Sequence, residues 1–541
     1  MTLRLAAVIM VAAACACAPS QGPVPQGRRV AVVAVEGATW RVLRPLLAEG
    51  RLPHLARLYQ GGSAGILRAD GPLDPQVLAT TLATGQPMAR HGVAGSVVRA
   101  PGRHAVRPAS ADLRRVPAIW SLADAQGLSV GVAGWPVTFP AEPVRGYMLA
   151  PRYDPLEGRI RGFIQPPGAL GEGGAARERL AMPGWLDEVT ALDAELRDAI
   201  ERDVEQFERA VSLYRVYQPR LAFFRFAAAD LAAHRYWQYF ETGLLPLAGS
   251  RGRGVPPERA AALSAAVPGA YRFVDACIGL LMERLPEESA LLVVSEFGVR
   301  GVALTDYLAV DLIGLLERLD LLRRAPDGSI DWASTRVFPM PEAPGSSRRL
   351  CLSVRGRDEG GVVDQGSAAA LKRDTISRLR GLATRAGQPL FSKVDDVEAS
   401  GRQDGAEIEL TENLAIDPEG VLEIAGEAIE ARALYRRVSE DFAVHDPEGI
   451  LLAAGGGVAA GRHGWSARLE DVAPTLLTLL GLPSRSGMPG RAIAAMLAPP
   501  AGAVEPDQEH EALMAPVAPL RRAEEDLQEE VEELRRLGHL R

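Results

Sequence analysis

Apolar residues are spaced along this chain in two recurring ways. Short apolar runs form the first pattern: Arg29 to Val35, Leu128 to Ala133, Leu221 to Phe226, 290–295 and Gly449 to Ala454. Such runs, ending at glycines or at polar residues, predict buried parallel strands that stop at a sheet edge. Between them lie stretches with apolar positions three and four apart. Residues 40–59 carry Leu43, Leu46, Leu47, Leu55 and Leu58 in this way. The stretches 120–126, 258–285, 469–481 and the one from Asp230 onward also predict helices. Strand, loop and helix in repeated succession define the α/β class.

The octet 291–298 reads Leu-Leu-Val-Val-Ser-Glu-Phe-Gly and places an acid, Glu296, where one of these strands ends. In open α/β sheets chemistry gathers just past the carboxyl ends of the strands. Residues 150–200 and 300–440 are less regular and mixed in charge, and are expected to be insertions that cap the sheet. Within the second, Val354-Arg355-Gly356-Arg357 reads as a strand end running into a glycine turn.

The two ends of the chain follow other patterns. Residues 1–22 resemble a secretory signal, with Arg4 ahead of an apolar stretch from Leu5 to Ala14. Small residues before Cys15 and Cys17 also resemble a bacterial lipoprotein cleavage site, which would anchor the protein without spanning the bilayer. The expected location is therefore outside the cytoplasm, periplasmic or envelope-anchored. Residues 23–29 read as a linker, 30–504 as the folded domain, and 505–541 as an acidic linker and a C-terminal helix. Leu527, Val531, Leu534 and Leu537 give that helix one apolar face, expected to dock on the domain.

At 47% hydrophobic and 24% charged the chain has ordinary globular composition. A net charge of -8 gives no sign of a nucleic-acid partner. No stretch past the N-terminus reads as a membrane span. Cys277 and Cys351 make no metal pattern and are expected to be buried thiols, although an exported compartment permits a disulfide.

Acidic residues and histidines near strand ends are the candidates for chemistry. Glu36 follows the first strand, and Glu296 follows the strand at 290–295. Asp230 and His234, at i and i+4, share a helical face after the strand at 221–226. His445 precedes the strand at 449–454. Taken singly, each has an ordinary reading: a solvated Asp/His pair, a structural histidine, an acid favouring a helix start. Together they offer oxygen and nitrogen donors suited to zinc or another divalent ion.

Several motifs, in order from about Val30 to Ile493, resemble the alkaline phosphatase superfamily, in its type I phosphodiesterase/nucleotide pyrophosphatase branch. They are Val35-Glu36-Gly37-Ala38-Thr39-Trp40, Ala83-Thr84-Gly85 with His91-Gly92-Val93, Gly134-Trp135-Pro136-Val137-Thr138-Phe139-Pro140, Val354-Arg355-Gly356-Arg357, and Asp471-Val472-Ala473-Pro474-Thr475-Leu476 with Leu480-Gly481-Leu482-Pro483. The resemblance implies a mostly parallel sheet with helices on both faces and cap insertions. It also implies an exported metal-dependent hydrolase of phosphate or related esters. Its ligand would be a small molecule or an envelope component carrying such an ester.

Family members hold two divalent metals, usually zinc, beside a Ser or Thr nucleophile. Asp230, His234 and His445 match the ligands of one metal. The other metal's Asp, Asp and His fall on Glu36, Glu296 and Phe297. The nucleophile falls on Pro75, with Asp74 beside it as a carboxylate that could act in its place. Phenylalanine has no lone pair for a metal, and each Glu in place of Asp lengthens the reach by roughly 1.5 Å. Metal distances tolerate only about 0.2 Å. One metal is therefore expected rather than two. Two functions follow: a divergent enzyme using a single metal to activate water, or a pseudoenzyme that binds or scaffolds at the envelope. His463 is a candidate replacement ligand, Thr80 and Thr81 read as helix-start residues, and His91 reads as structural.

Overall fold

A computed structural model of the chain describes residues 28–498, except 101, 152–161, 171–178, 242–255, 302–307, 341–347, 398–404, 414–415, 438–442 and 484–486. The signal segment, Cys15 and Cys17, most of the linker and the C-terminal helix lie outside the described residues.

The five apolar runs join four further strands in one nine-stranded sheet. Its strands in chain order are β1 (Val30–Val35), β2 (Ser63–Arg68), β3 (Val130–Ala133), β4 (Gly146–Leu149), β5 (Ile164–Gln165), β6 (Leu221–Phe226), β7 (Ala290–Ser295), β8 (Glu448–Gly455) and β9 (Arg462–Arg468). Their order across the sheet is β9-β2-β8-β7-β1-β6-β3-β4-β5. Pairing is parallel except that β8 runs against β2 and β7, and β5 runs against β4. The fold is α/β, a mostly parallel sheet with helices on both faces.

Both faces of β1 are apolar because both are covered. Ala31, Val33 and Val35 enter one core, and Val30, Val32 and Ala34 enter the other. The first core is closed by α1 (Trp40–Ala48), α3 (Ala194–Tyr217), α4 (Ala228–Phe240) and α5 (Ala266–Met282), through residues such as Leu43, Phe207, Trp237 and Phe273. The second is closed by α2 (Pro75–Thr84) and α6 (Val472–Leu480), through Leu78, Leu82, Leu476 and Leu480.

Three expectations change. The stretch 40–59 divides, with α1 ending at Ala48 and a second helix starting at Pro53, whose ring suits a first helical turn. The segment 258–285 also divides, into Pro257–Leu263 and α5. Pro257–Met282 contains an 18-residue stretch long and apolar enough to cross a bilayer, with mean hydropathy 1.3, contrary to the sequence expectation. That stretch is nonetheless 72% buried within the protein, because its apolar residues fill the first core.

Within 300–440 a four-stranded sheet forms, in the order Val337–Pro339, Arg348–Leu352, Ile408–Glu412 and Phe391–Asp396. It packs with helices Leu312–Arg318 and Gln365–Arg380 around its own apolar core. Cys277 and Cys351 are both buried thiols, in different cores.

Candidate metal centre

Strands β7, β1 and β6 lie side by side in parallel, so their carboxyl ends share one edge. The chain leaves β1 through Glu36, whose amide donates to Phe226 O at 2.9 Å. Gly37 then takes φ +68°, and a Cβ there would stand 2.4 Å from Asp230 Oδ1. Glycine is needed both for the left-handed turn and for the room it leaves the carboxylate. Tyr271 Oη accepts from Thr39 N at 2.9 Å. Ser295 Oγ accepts from Ala38 N at 3.1 Å and donates to Phe297 O at 2.7 Å. The loops after β1 and β7 are thus tied together by buried polar groups.

Helix α4 carries Asp230 and His234 one turn apart. Its first amides are capped from outside: Asp203 Oδ2, on α3, accepts from Ala227 N at 2.9 Å and Ala228 N at 2.8 Å. Ala227 has no side-chain acceptor of its own, so α3 supplies the cap. Burial raises Asp203 to about 7, against the pull of those two amides. We expect Asp203→Ala to cost about 1–2 kcal/mol of stability and to weaken divalent-metal binding about 10-fold. Asp203→Asn, which keeps an acceptor oxygen, should restore most of both. Calorimetric zinc titration of the three proteins checks this.

His445 reaches the centre by strand pairing. Ala443–Asp446 runs antiparallel to Gly298–Gly301, with His445 opposite Val299. Because β8 runs against β7, the residues just before β8 arrive where β1, β6 and β7 finish. His445 Nδ1 donates to Leu73 O at 2.7 Å, which turns Nε2 inward. Phe297 lies over the same imidazole, with ring centroids 4.1 Å apart.

The ligand-type atoms form a tight triangle. His234 Nε2 and His445 Nε2 are 3.1 Å apart, and each is 3.6 Å from Asp230 Oδ1. Ligands about 2.0 Å from a tetrahedral zinc stand roughly 3.3 Å apart. Among the described residues Asp230 Oδ1 is buried without a hydrogen-bond partner, which leaves this oxygen open to a cation. These residues fit one divalent metal. Burial opposes the charge on Asp230, but His234, His445 and Arg225 hold its carboxyl below the usual range. Burial also works against charge on His445, yet the Asp230 carboxylate, 3.6 Å from Nε2, raises it to about 9.

The other half of the centre is built differently. Arg225 Nη2 meets Glu36 Oε2 at 2.9 Å, and its Nη1 meets Glu296 Oε1 at 2.9 Å. Burial raises Glu36 to about 7, with Arg225 pulling the other way. Burial disfavours the Arg225 charge, but Glu36 and Glu296 reverse this and hold it above its ordinary value. Phe297 is fully buried in the second core. A guanidinium between the carboxylates and a phenyl ring beside them do not fit a second metal.

Asp74 caps α2. Its Oδ1 accepts from Gln76 N at 3.0 Å and Val77 N at 3.3 Å, and its Oδ2 accepts from Ser96 N and Ser96 Oγ, both at 2.8 Å. Thr80 and Thr81 donate back to Gln76 O and Val77 O within the helix. His463 does not join the centre. It sits at the amino end of β9, away from the edge that carries the site, stacked on Tyr59 at 4.4 Å.

His91 is fully buried. Nδ1 accepts from Val93 N at 3.1 Å, so Nε2 carries the hydrogen toward Thr81 Oγ1, also at 3.1 Å. Burial, with Arg114 nearby, lowers it to about 3. A depressed histidine is uncharged in the fold while the unfolded chain takes up a proton below about pH 6.5. Stability therefore falls as pH drops from 6.5 toward 3, by about 1.4 kcal/mol per unit. Wild type should lose about 2 kcal/mol more than His91→Gln between pH 7 and pH 5, read from urea denaturation.

Two residues of the site escape pattern reading. Arg225 is a charge inside the apolar run Leu-Ala-Phe-Phe-Arg-Phe, and a buried charge demands a partner; that was the available signal. Asp203 gives only a weaker one, an acid on the buried side of α3 near Ile200 and Phe207.

An α/β protein with a candidate Asp/His/His metal site at the carboxyl edge of its sheet has, by class, the architecture of a hydrolase. The chain belongs to the type I phosphodiesterase/nucleotide pyrophosphatase family, whose model matches residues 30–373. That family lies in the alkaline phosphatase superfamily and is typically metal-dependent. The structure is similar to human ectonucleotide pyrophosphatase/phosphodiesterase 5, at 13% identity and TM-score 0.46 over 86% of this chain and 97% of that one. It is also similar to the murine protein of that name, solved as an inactive variant in complex with AMP, at 14% identity, TM-score 0.46 and the same coverage. No curated protein matches.

Proposed function

We propose that this chain is a single-metal member of its family that binds a phosphate or related ester and does not turn over phosphodiesters through a covalent intermediate. The observation that carries this is Asp74: beside the position where the family places its nucleophile, both carboxylate oxygens are engaged by four donors. A carboxylate so held caps a helix and is a poor attacking group. Asp230, His234 and His445 would hold the metal, zinc by the chemistry of the donor set. When bound, the metal would supply a Lewis-acid contact to an anionic ester oxygen. His445 is oriented by Leu73 O, and Gly37 leaves room for Asp230.

The signal-like segment at residues 1–22, with Cys15 and Cys17, supports export and anchoring at the envelope by a lipid. The partner is then a small ester or an envelope component met outside the cytoplasm.

A second reading, hydrolysis by water at the single metal, is favoured by the completeness of the triad. Zinc-loaded protein given an aryl phosphodiester and an aryl phosphomonoester separates the two. The binding reading expects zinc-dependent protection by a non-hydrolysed ester and no release of phenolate above background. Substantial turnover that disappears in His234→Ala would overturn it in favour of the second reading.

A further inference from the structure

The half-site of Glu36, Glu296 and Phe297 has lost metal ligands and has acquired Arg225. Strand order puts the three charged groups together. β1 lies between β7 and β6, so Glu36, Glu296 and Arg225 all lie at the same sheet edge. Their side chains are 14%, 0% and 7% exposed. Two carboxylates this deep need a cation between them. The two Nη groups of one guanidinium meet one carboxylate each, at 2.9 Å. The planar fork of arginine is suited to this double engagement, and arginine keeps its proton at any pH of interest.

We propose that Arg225 is a resident cation in the second metal's position, so that the centre is one metal plus one guanidinium and the Glu36–Glu296 half-site takes no metal while Arg225 is present. Several substitutions then acquire a common reason. Each glutamate adds a methylene of reach, roughly 1.5 Å, which suits a carboxylate meeting a guanidinium. Phe297 needs no lone pair, because nothing there is to be coordinated. It packs instead in the second core and against His445, with ring centroids 4.1 Å apart. The charge is permanent, does not exchange with solvent and does not depend on metal supply.

This inference rests on the single-metal reading only for the metal at the triad, and zinc stoichiometry tests the two separately. The chain lacking residues 1–22 is stripped with chelator, titrated with zinc and analysed for bound metal after dialysis. Wild type should hold one zinc and His234→Ala none. Arg225→Met should gain an equivalent that persists when His234→Ala is added and disappears when Glu36→Gln is added as well. Arg225→Lys, which keeps the charge, should stay at one. Two zinc ions in wild type with one retained in His234→Ala would overturn the proposal, and so would an Arg225→Met protein that gains none. If Arg225→Met does not fold, two zinc ions in wild type or a second zinc in Arg225→Lys would still overturn it. No zinc in wild type together with one in Arg225→Met would sink the single-metal reading and leave Arg225 as the resident cation.

Discussion

Arg225→Met is expected to destabilise the fold by about 3–5 kcal/mol, the range for removing one partner of a buried ion pair. The cause is less the lost attraction than the charges left behind. Glu296 is fully buried, and among the described residues its Oε2 already lacks a hydrogen-bond partner. Oε1 would then lose its contact with Arg225, at 2.9 Å the one hydrogen bond found for this carboxylate among the described residues. Glu36 would keep its backbone tie to Phe226 but lose its cation. Methionine fills a similar volume, so the deficit is electrostatic. Neutralising the acids as well, in Arg225→Met with Glu36→Gln and Glu296→Gln, should recover most of the loss, because no uncompensated charge remains. Guanidinium denaturation in the presence of chelator measures both. A loss under about 1 kcal/mol in the single variant would mean that Arg225 contributes no more than a surface pair does.

His234→Ala carries the second large effect. Losing a residue that merely supports a metal ligand weakens binding about 10–100-fold, and losing a ligand itself should reach at least the upper end. At zinc about 100 times the wild-type Kd, binding stabilises the fold by about 2.7 kcal/mol. For a variant about 100-fold weaker, the same zinc concentration contributes only about 0.4 kcal/mol. Zinc-dependent stability should therefore nearly vanish in His234→Ala and persist in His463→Ala, since His463 stacks on Tyr59 away from the centre. Equal zinc stabilisation of wild type and His234→Ala would show that the triangle holds no metal.

Much of the architecture is legible in residue order. The runs at 30–35, 221–226 and 290–295 become β1, β6 and β7, apolar on both faces because helices cover both. The i, i+4 spacing of Asp230 and His234 suffices to place them on one helical face. Element ends are less legible. The break between Leu263 and Ala266 sits where Pro268, in the first turn of α5, has no amide to donate to Ser264 O, and it leaves a segment apolar enough for a membrane inside a protein core. The order within 300–440 is also hidden, since its strands are short and pair across long sequence separations.

The centre divides along the same line. By itself the sequence determined the donor types: an Asp/His pair, a later histidine, glutamates where a second metal would want aspartates, and a phenylalanine that cannot coordinate. Those are properties of side chains, readable one residue at a time. Only the tertiary structure decided which groups meet. The reversed direction of β8 carries His445 to the edge where β1, β6 and β7 end, and the parallel pairing of β9 with β2 leaves His463 at the opposite end. Sheet order sets Arg225 between Glu36 and Glu296, and α3 lends Asp203 to cap α4. Charge and hydrogen bonding act over a few ångströms, while these partners are tens to hundreds of residues apart. Their pairing therefore exists only once the chain has folded.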